Sequence, residues 1–412
     1  MNLDLSKIKK VFFIGIGGIG ISALAKLCLS RGIEVLGIND EESPKTLDPL
    51  RDAGAIIYYE NELKELPDAD LYVFSDAWIY RGPHLITEAR KRGPTLSYFE
   101  ALGIFAKEYK VIAIAGTHGK TTTTAMVAEI LIDAGLDPTV VVGSFVKKFN
   151  SNFRAGKGEY LVVEADEYNR HFLNFNPFIT GVTNIEADHL DCYKDLADIQ
   201  DAFNKLLSQS VNKITDYSKY LYKVPKLSVP GEHNRMNAAL AYGIGEFLNI
   251  KEEVIQKSLS GFSGTWRRLE KIRETKEGTI IYDDYAHHPT EIKASLQALR
   301  ELYSNKKLTV VFQPHLYSRT KALFQEFSES FKGADEIVLL PIYFAREKKD
   351  ESVSSGKLAE AVCAHGERVI AFTDFELAEE YLKGKDFNEN DVFVTMGAGE
   401  AYKVADKIFN LN

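Results

Sequence analysis

The chain has 412 residues, enough for two or three domains that each bury a hydrophobic core. Its 45% hydrophobic and 26% charged residues describe an ordinary globular protein, and a formal net charge of −9 without a strongly basic block argues against nucleic acid as a partner. No apolar run is long enough to span a membrane, no signal peptide is recognisable, and the three cysteines form neither a metal-binding spacing nor a disulfide framework, so we expect a cytoplasmic protein without membrane insertion.

The first predicted strand, 11–14, leads into a glycine-rich turn at 15–20 and a helix from Ile21 to Arg31. This G-x-G-x-x-G pattern between a strand and a helix is typical of Rossmann domains, in which a nucleotide diphosphate lies at the helix N-terminus. A second strand, 34–38, ends before Asp40, a candidate for binding a ribose hydroxyl. The pattern fits NAD and a UDP-sugar equally well, and a purely structural tight turn remains open. Further strands are predicted at 55–59, 71–75 and 95–98, and this domain is expected to end near residue 108.

The second domain is expected to open with a phosphate-binding loop. An apolar strand, 110–115, precedes Gly116-Thr117-His118-Gly119-Lys120-Thr121, and an amphipathic helix closed by Gly135 follows. In this context backbone N–H groups face phosphates, Lys120 adds a positive charge and the Thr121 hydroxyl can ligate Mg²⁺. The usual pattern has glycine at position 114, where this chain has isoleucine. We interpret the segment as an ATP site rather than an ordinary strand–turn–helix.

Acidic and imidazole side chains follow the next two predicted strands. Glu164, Asp166 and Glu167 end the strand 159–167, and His189 follows the strand 179–185. Because ligands bind at the carboxyl ends of strands in a doubly wound sheet, Glu164 and His189 are candidates for a metal-assisted phosphate site. Two other acidic residues in this stretch, Asp188 and Asp191, are as readily explained as helix N-caps.

A helix is predicted after Pro230-Gly231, where the spacing of Asn234 and Asn237 lets both face one ligand from its first turn. The alternative is that Asn234 only caps the helix. The segment 264–270 resembles a hinge, whose paired Arg267 and Arg268 could clamp a phosphate or could form a solvated linker face. Beyond it, strands at 279–285, 308–312, 336–340 and 392–396 predict a third α/β domain with polar clusters at the strand ends.

Eight motifs spread over essentially the whole chain resemble those of the ATP-dependent Mur ligases of bacterial cell-wall synthesis. They are GIGGIG (15–20), GTHGKTTTT (116–124), EADEYNRHFL (164–173), NIEADHLD (184–191), PGEHNRMNA (230–238), DDYAHHPTEI (283–292), FQPHLYSRT (312–320) and MGAGE (396–400). Within the family the chain is most similar to the ligases that join L-alanine to UDP-N-acetylmuramate. The resemblance implies an α/β fold of three domains. These are a Rossmann-like UDP-sugar-binding domain (1–108), a shortened P-loop ATPase-type central domain (109–263) and a Rossmann-like C-terminal amino-acid-binding domain (264–412).

The resemblance also implies a mechanism. ATP phosphorylates the lactyl carboxylate of UDP-N-acetylmuramate, the amine of L-alanine attacks the acyl phosphate, and phosphate leaves a tetrahedral intermediate. ATP and Mg²⁺ would be the cofactors, domain closure would assemble the site, and the protein would be a monomer or homodimer.

By similarity, each functional group maps onto residues of this chain. Lys120, Glu164, His189, His288 and Arg319 would be catalytic, with Thr121, Glu164 and His189 as metal ligands. ATP would be bound by Gly116, Thr117, His118, Gly119, Lys120, Thr121, Thr122, Asn234, Asn237, Arg268 and Asp283. The UDP-sugar would lie on Gly15, Gly17, Gly18, Ile19, Asp40 and Ser75, so no NAD is expected. The incoming amino acid would contact Tyr285, His315 and Arg319, with Arg319 pairing its carboxylate.

Three departures from the family pattern accompany these expectations. Leu316 stands where the family usually has arginine, Ser75-Asp76-Ala77-Trp78 replaces a usual Ser-Ser-Ala-Ile loop, and the segment between His189 and Glu232 is short. The alternatives are a recycling ligase that attaches a tripeptide to the same sugar nucleotide, an NAD-dependent oxidoreductase, and a nucleotide-binding regulator without catalysis.

Overall fold

The structure, a computed structural model, describes residues 3–189, 192–345 and 347–411. Asp191, one of the candidate helix caps, lies outside these residues. The chain forms two compact units, one made of Met1–Asp188, Tyr193–Lys226 and Met236–Phe262 and the other of His189–Cys192, Leu227–Arg235 and Ser263–Asn412. Three mainly parallel sheets with helices confirm the predicted α/β class. In the described part of the chain, none of the helices combines the length and apolar character needed to cross a membrane.

The first sheet lies in the first unit and is entirely parallel, in the order β3-β2-β1-β4-β5. Its strands are β1 (Lys10–Ile14), β2 (Glu34–Asn39), β3 (Ile56–Tyr59), β4 (Leu71–Phe74) and β5 (Thr95–Ser97). The helices between and after them are α1 (Ile19–Ser30), α2 (Pro44–Asp52), α3 (Trp78–Arg81), α4 (Pro83–Arg92) and α5 (Tyr98–Ala106). The central strand β1 is almost completely buried, as its continuous apolar run predicts.

The second sheet, also in the first unit, has the order β11-β10-β6-β9-β7-β8, in which only β8 is antiparallel to its neighbour. Its strands are β6 (Lys110–Ala115), β7 (Thr139–Val146), β8 (Ser151–Arg154), β9 (Tyr160–Glu164), β10 (Ile179–Val182) and β11 (Asn212–Ile214). The accompanying helices are α6 (Lys120–Asp133), α7 (Leu196–Gln209), α8 (Glu232–Phe247) and α9 (Glu252–Gly261). The β7–β8 hairpin and β11 were not predicted from the sequence.

The third sheet forms the body of the second unit, in the order β12-β13-β17-β14-β15-β16 with only β12 antiparallel. Its strands are β12 (Glu270–Glu274), β13 (Ile280–Asp284), β14 (Lys307–Phe312), β15 (Glu336–Leu339), β16 (Val369–Ala371) and β17 (Asp391–Met396). Its helices are α10 (Pro289–Leu302), α11 (Tyr317–Ala322), α12 (Phe324–Ser328), α13 (Ser355–Ala364), α14 (Phe375–Lys383) and α15 (Tyr402–Phe409).

The strands β13, β14, β15 and β17 of the third sheet are buried almost throughout, which is why they read as continuous apolar runs. In β13, Ile280 and Tyr282 pack into one core and Ile281 into another on the opposite face. The same alternation holds in β14, where Val310 and Phe312 face the first core and Val311 the second. Polar side chains are thereby left to the strand ends, where they can face a ligand.

Candidate active site

The phosphate loop lies between β6 and α6, as predicted. Gly116 (φ 140°) and Gly119 (φ 80°) adopt backbone conformations that L-residues with a Cβ rarely reach. A Cβ on Gly116 would collide with the Thr183 hydroxyl, and a Cβ on Gly119 with the side-chain oxygen of Asn237. The loop therefore needs glycine at both positions, and Asn237, predicted to bind ATP, lies directly against it.

The segment that follows β10 fixes the shape of this loop. The backbone N–H of His118 donates to Oδ1 of Asn184 at 2.9 Å, and the N–H of Thr117 donates to the Asn184 carbonyl at 3.0 Å. The Thr183 hydroxyl donates to the His118 carbonyl, and the Glu186 N–H donates to Oγ1 of Thr117 at 2.8 Å. We did not single out Thr183 and Asn184 as site residues from the sequence, although the second lies in one of the motifs.

Lys120 begins α6 and is enclosed by its own loop. Its Nζ lies 2.7 Å from Oε2 of Glu167 and donates to the carbonyl oxygens of Gly116 at 2.5 Å and Thr117 at 3.0 Å. Burial alone would lower the pKa of Lys120, but the charges of Glu167, Asp166 and Glu164 outweigh it and raise the pKa above its usual value. The lysine is therefore held as a cation at the helix N-terminus. Glu167, which holds it, was named in the sequence only as part of an acidic run.

Thr121 and Glu164 bring together the oxygen donors that Mg²⁺ prefers. The Thr121 hydroxyl lies 3.0 Å from each carboxylate oxygen of Glu164, and Oε2 of Glu164 also accepts from the Gly143 N–H at 2.8 Å. A hydroxyl and a carboxylate beside a phosphate loop fit Mg²⁺, which binds through few protein oxygens and the substrate phosphates. His189 has a left-handed backbone (φ 55°), and its carbonyl accepts from Cys192 N–H at 2.9 Å. Its role as a ligand stays a prediction.

The first glycine loop, between β1 and α1, is held by uncharged groups. The Gly17 N–H donates to Oδ1 of Asn39 at 3.1 Å, and the Thr46 hydroxyl donates to the Gly17 carbonyl at 2.7 Å. Gly18 is the N-cap of α1, and no side chain caps the helix there. The N–H groups of the first turn of α1 are thus available to a diphosphate.

Among the other predicted UDP-sugar residues, Ser75 follows β4 and lies close to the glycine loop. A Cβ placed on Gly18 would be 4.0 Å from the Ser75 hydroxyl. The Asp40 carboxylate lies 2.5 Å from the Arg81 guanidinium of α3 and forms an ion pair with it. The sequence did not predict this partner for Asp40. Trp78 packs against Gly15 and is buried.

Arg267, in the second unit, is buried and connects β13 to the segment after β17. Its Nε lies 2.7 Å from Oδ2 of Asp283, and its other nitrogens donate to the carbonyl oxygens of Gly397 at 2.7 Å and Gly399 at 3.0 Å. Only 4% of the residue is exposed, so it forms neither a solvated linker face nor a phosphate clamp. Arg268 instead contacts the Tyr285 ring and lies 4.0 Å from Glu291. Asp283 is occupied by Arg267 and by Thr395, and its contact with ATP stays a prediction.

Imidazole and aromatic rings gather at the carboxyl ends of β13 and β14. His315 lies against the Tyr343 ring, with ring centroids 5.5 Å apart, and edge-on to His287 at 5.9 Å, which in turn contacts Tyr285 at 5.4 Å. Arg319, on α11, approaches Nδ1 of His315 at 3.4 Å. The structure thus brings together the predicted amino-acid-binding residues and adds His287 and Tyr343.

Two predicted residues in this part of the chain have structural tasks. His288 is the N-cap of α10, with Nδ1 accepting from the Thr290 N–H at 3.2 Å, and Glu291 completes a capping box. Asn234 donates to the Pro230 carbonyl at 2.6 Å from the first turn of α8. Catalysis by His288 and nucleotide binding by Asn234 stay predictions.

Comparison with known proteins decides the family. Three family models match in succession: the Mur ligase family catalytic domain at residues 10–110, the Mur ligase middle domain at 114–215, and the Mur ligase glutamate ligase domain at 267–399. Over 98% of this chain and 99% of its relative, the sequence is 38% identical to a UDP-N-acetylmuramate–L-alanine ligase of Clostridium acetobutylicum. The chain belongs to the Mur ligase family.

Other Mur ligases are similar over the same length. A UDP-N-acetylmuramate–L-alanine ligase of Clostridium kluyveri is 37% identical, with both chains fully covered. Among solved structures, a UDP-N-acetylmuramate–alanine ligase from Thermotoga maritima superimposes with a TM-score of 0.82 and 27% identity, covering 97% of this chain and 98% of that one. A murein peptide ligase from Psychrobacter arcticus shares the fold at a TM-score of 0.69 and 21% identity, with 98% of each chain covered.

This Mur ligase is also a short one. The alignment with the Clostridium acetobutylicum enzyme extends over 458 residues, whereas this chain has 412, so at least 46 aligned positions have no residue here. The phosphate loop, Glu164, Asn237 and Arg319 are all present despite that difference. A shortened chain therefore retains the groups on which the predicted chemistry depends.

Proposed function

We propose that this chain is an ATP-dependent ligase that joins L-alanine to the lactyl carboxylate of UDP-N-acetylmuramate through an acyl phosphate, in peptidoglycan precursor synthesis. The observation that carries the proposal is the phosphate loop with Lys120 at its helix N-terminus and the Thr121–Glu164 pair beside it. The 38% identity to a ligase of this specificity, over nearly the whole of both chains, supports the choice of substrates.

The loop residues supply binding and charge for phosphoryl transfer. The N–H groups at the start of α6 and the Lys120 ammonium would stabilise the negative charge that builds up on the phosphate oxygens. Glu167 keeps the ammonium charged and oriented until ATP binds, and Lys120 would then exchange its contact with Glu167 for the phosphates. Thr121 and Glu164 would hold Mg²⁺, which supplies charge neutralisation and a fixed geometry for the phosphates when bound.

The two remaining substrates would use the other two clusters. The N–H groups of the first turn of α1 would bind the diphosphate of the UDP-sugar, with Gly17 and Gly18 forming the loop that leads into that turn. In the second unit, Arg319 would pair the L-alanine carboxylate, and His315 with Tyr285 would surround a small side chain. A cytoplasmic location belongs to the same proposal and is supported by Cys28, Cys192 and Cys363, none of which forms a disulfide in the described part of the chain.

The decisive test is phosphate release from ATP with Mg²⁺ and UDP-N-acetylmuramate, measured with L-alanine or with the tripeptide as acceptor. Release that depends on L-alanine is the expected result. Release that depends on the tripeptide would assign the chain to the recycling reaction instead. Release with neither acceptor would contradict the proposed substrates. Comparing the thermal stabilisation by NADH with that by UDP-N-acetylmuramate, of which we expect only the second, tests the oxidoreductase alternative.

A further inference from the structure

His171 lies between two carboxylates that belong to different parts of the first unit. It sits in the 3₁₀ turn Tyr168–Asn174 that follows β9, and only 7% of it is exposed. Its Nε2 lies 2.7 Å from Oδ2 of Asp76, and its Nδ1 lies 3.4 Å from Oδ2 of Asp166. The ring also stacks on Phe99, with centroids 4.0 Å apart and planes 14° from parallel. The imidazole is thus fixed on three sides.

The two carboxylates belong to the two ligand sites of this unit. Asp76 directly follows Ser75, in the loop after β4 that faces the first glycine loop. Asp166 belongs to the acidic loop after β9, which also carries Glu167, the partner of Lys120. A single imidazole therefore connects the loop of the sugar-nucleotide site to the loop of the phosphate site.

The surroundings favour the doubly protonated ring. Asp76 and Asp166 face it from the two loops, Tyr98 and Phe99 belong to α5 beside it, and Tyr168 contacts it edge-on from its own turn. Burial alone would lower the pKa of His171, but the hydrogen bonds to Asp166 and Asp76 outweigh burial and raise the pKa to about 9. With both nitrogens carrying protons, the ring can donate to both carboxylates at once.

We propose that His171 is a positioning residue that ties Asp76 to Asp166 and thereby couples binding of the sugar nucleotide to the geometry of the phosphate site. This inference rests on the proposed function for the identity of the ligand. A His171 that only fills space between helix and turn would leave both ligand sites independent of its charge.

The link formed by the two hydrogen bonds of protonated His171 to Asp76 and Asp166 has a defined pH dependence. Because the pKa of His171 in the folded protein, about 9, lies above the ordinary value of 6.5, the link is complete below about pH 6.5 and is lost as the pH rises through about 9. The KM for UDP-N-acetylmuramate should therefore rise over this range in the wild-type protein.

Two variants test the coupling. His171→Phe keeps the stack on Phe99 and removes both hydrogen bonds, and Asp76→Asn keeps the shape of its partner while removing its charge. We expect each to raise the KM for UDP-N-acetylmuramate about tenfold, as the loss of a charged hydrogen bond predicts, to leave the KM for L-alanine unchanged and to flatten the pH dependence. In the double variant the two effects should not add. His84→Phe is the matched control, because His84 also faces a carboxylate, Glu60 at 3.6 Å, but is exposed.

Effects that add in the double variant, or a KM that rises equally at every pH, would overturn the proposal and leave His171 a packing residue. Nuclear magnetic resonance titration of the histidine rings needs no turnover. It should give His171 a pKa near 9 that falls in Asp76→Asn, and a value near 6.5 in the wild type would refute the bridge. Failure of the wild type to ligate L-alanine would instead contradict the proposed function, and the titration would still test the bridge between His171 and the two carboxylates.

Discussion

Two glycine-rich loops of this chain follow the same plan, since each leaves a buried parallel strand and ends in the first turn of a helix, but different forces hold them. The loop before α6 is held by ion pairs and by hydrogen bonds from the segment after β10, with Lys120 against Glu167 and Thr121 against Glu164. The loop before α1 is held by neutral groups, the amide of Asn39 and the hydroxyl of Thr46.

That difference indicates how each loop would treat an anionic ligand. A charged loop with its own counter-ions can exchange one partner for another, so Lys120 can leave Glu167 for a phosphate whose charge changes during the reaction. A neutral loop offers the same N–H groups throughout, which suits a diphosphate that is bound but not cleaved. Substitutions in the charged loop before α6 should therefore change kcat, and those in the neutral loop before α1 should change KM.

The largest effect is expected at Lys120. Replacing it with alanine removes the ammonium charge that would face the phosphates, and turnover should fall by about 10³-fold, as losses of transition-state charge stabilisation do. Steady-state phosphate release measures the loss, and circular dichroism checks the fold. Lys213→Ala, at an exposed lysine of β11, is the control. Normal turnover in Lys120→Ala would remove the phosphate-loop assignment.

Glu164→Gln should have the next largest effect. The amide keeps the contact with Thr121 but removes the negative charge that would hold Mg²⁺, so kcat should fall by about 10²-fold and the Mg²⁺ concentration for half-maximal rate should rise. Titration of turnover with Mg²⁺ separates the two effects. Glu159→Gln, at the exposed residue directly before the same strand, removes a carboxylate paired with Lys110 and should leave both values unchanged. An unaltered Mg²⁺ requirement in Glu164→Gln would exclude Glu164 as a ligand.

Sequence reasoning was accurate wherever a pattern has one physical explanation. The strand predicted at 308–312 is Lys307–Phe312 and that predicted at 34–38 is Glu34–Asn39, because buried parallel strands need continuous apolar runs. Among the strands it missed, Asn212–Ile214 lies at a sheet edge and Glu270–Glu274 is charged, so neither carries such a run. Thr139–Val146 is the exception, because it is an internal, buried strand that does carry an apolar run.

The site shows the same limit. Motifs placed Lys120, Thr121 and Glu164 together, since glycine, lysine and threonine at this spacing have few other uses. Arg267 and Arg268 could not be told apart, because the sequence does not reveal which guanidinium turns inward to Asp283 and the carbonyl oxygens of the MGAGE segment. Long-range partners of this kind, like Glu167 for Lys120, depend on the packing of distant segments.

In the neutral loop, Gly17→Ala tests binding without chemistry. A Cβ on Gly17 would lie 2.7 Å from Nδ2 of Asn39, so the loop must shift. The N–H groups at the start of α1 would then no longer point at the diphosphate. We expect the KM for UDP-N-acetylmuramate to rise about tenfold, equivalent to about 1.4 kcal/mol, with kcat nearly unchanged. Gly261→Ala is the control, because a Cβ there meets no atom within 4 Å. A fall in kcat alone would mean that the two loops do not differ as we argue.

The smallest effect is expected for Thr46→Val, which keeps the shape of the side chain and removes the hydrogen bond to the Gly17 carbonyl together with the contacts of the hydroxyl to Ser43. Thr46 is 1% exposed, so the loss should cost about 1 kcal/mol, a severalfold rise in the KM for UDP-N-acetylmuramate, again without change in kcat. Thr87→Val is a close control, since the Thr87 hydroxyl also donates to a backbone carbonyl, that of Pro83 at 2.9 Å, but is exposed. Equal KM values in Thr46→Val and Thr87→Val would show that the neutral loop keeps its shape without the Thr46 hydroxyl, held by the Asn39 amide and by backbone hydrogen bonds such as that from Gly15 to Ile38.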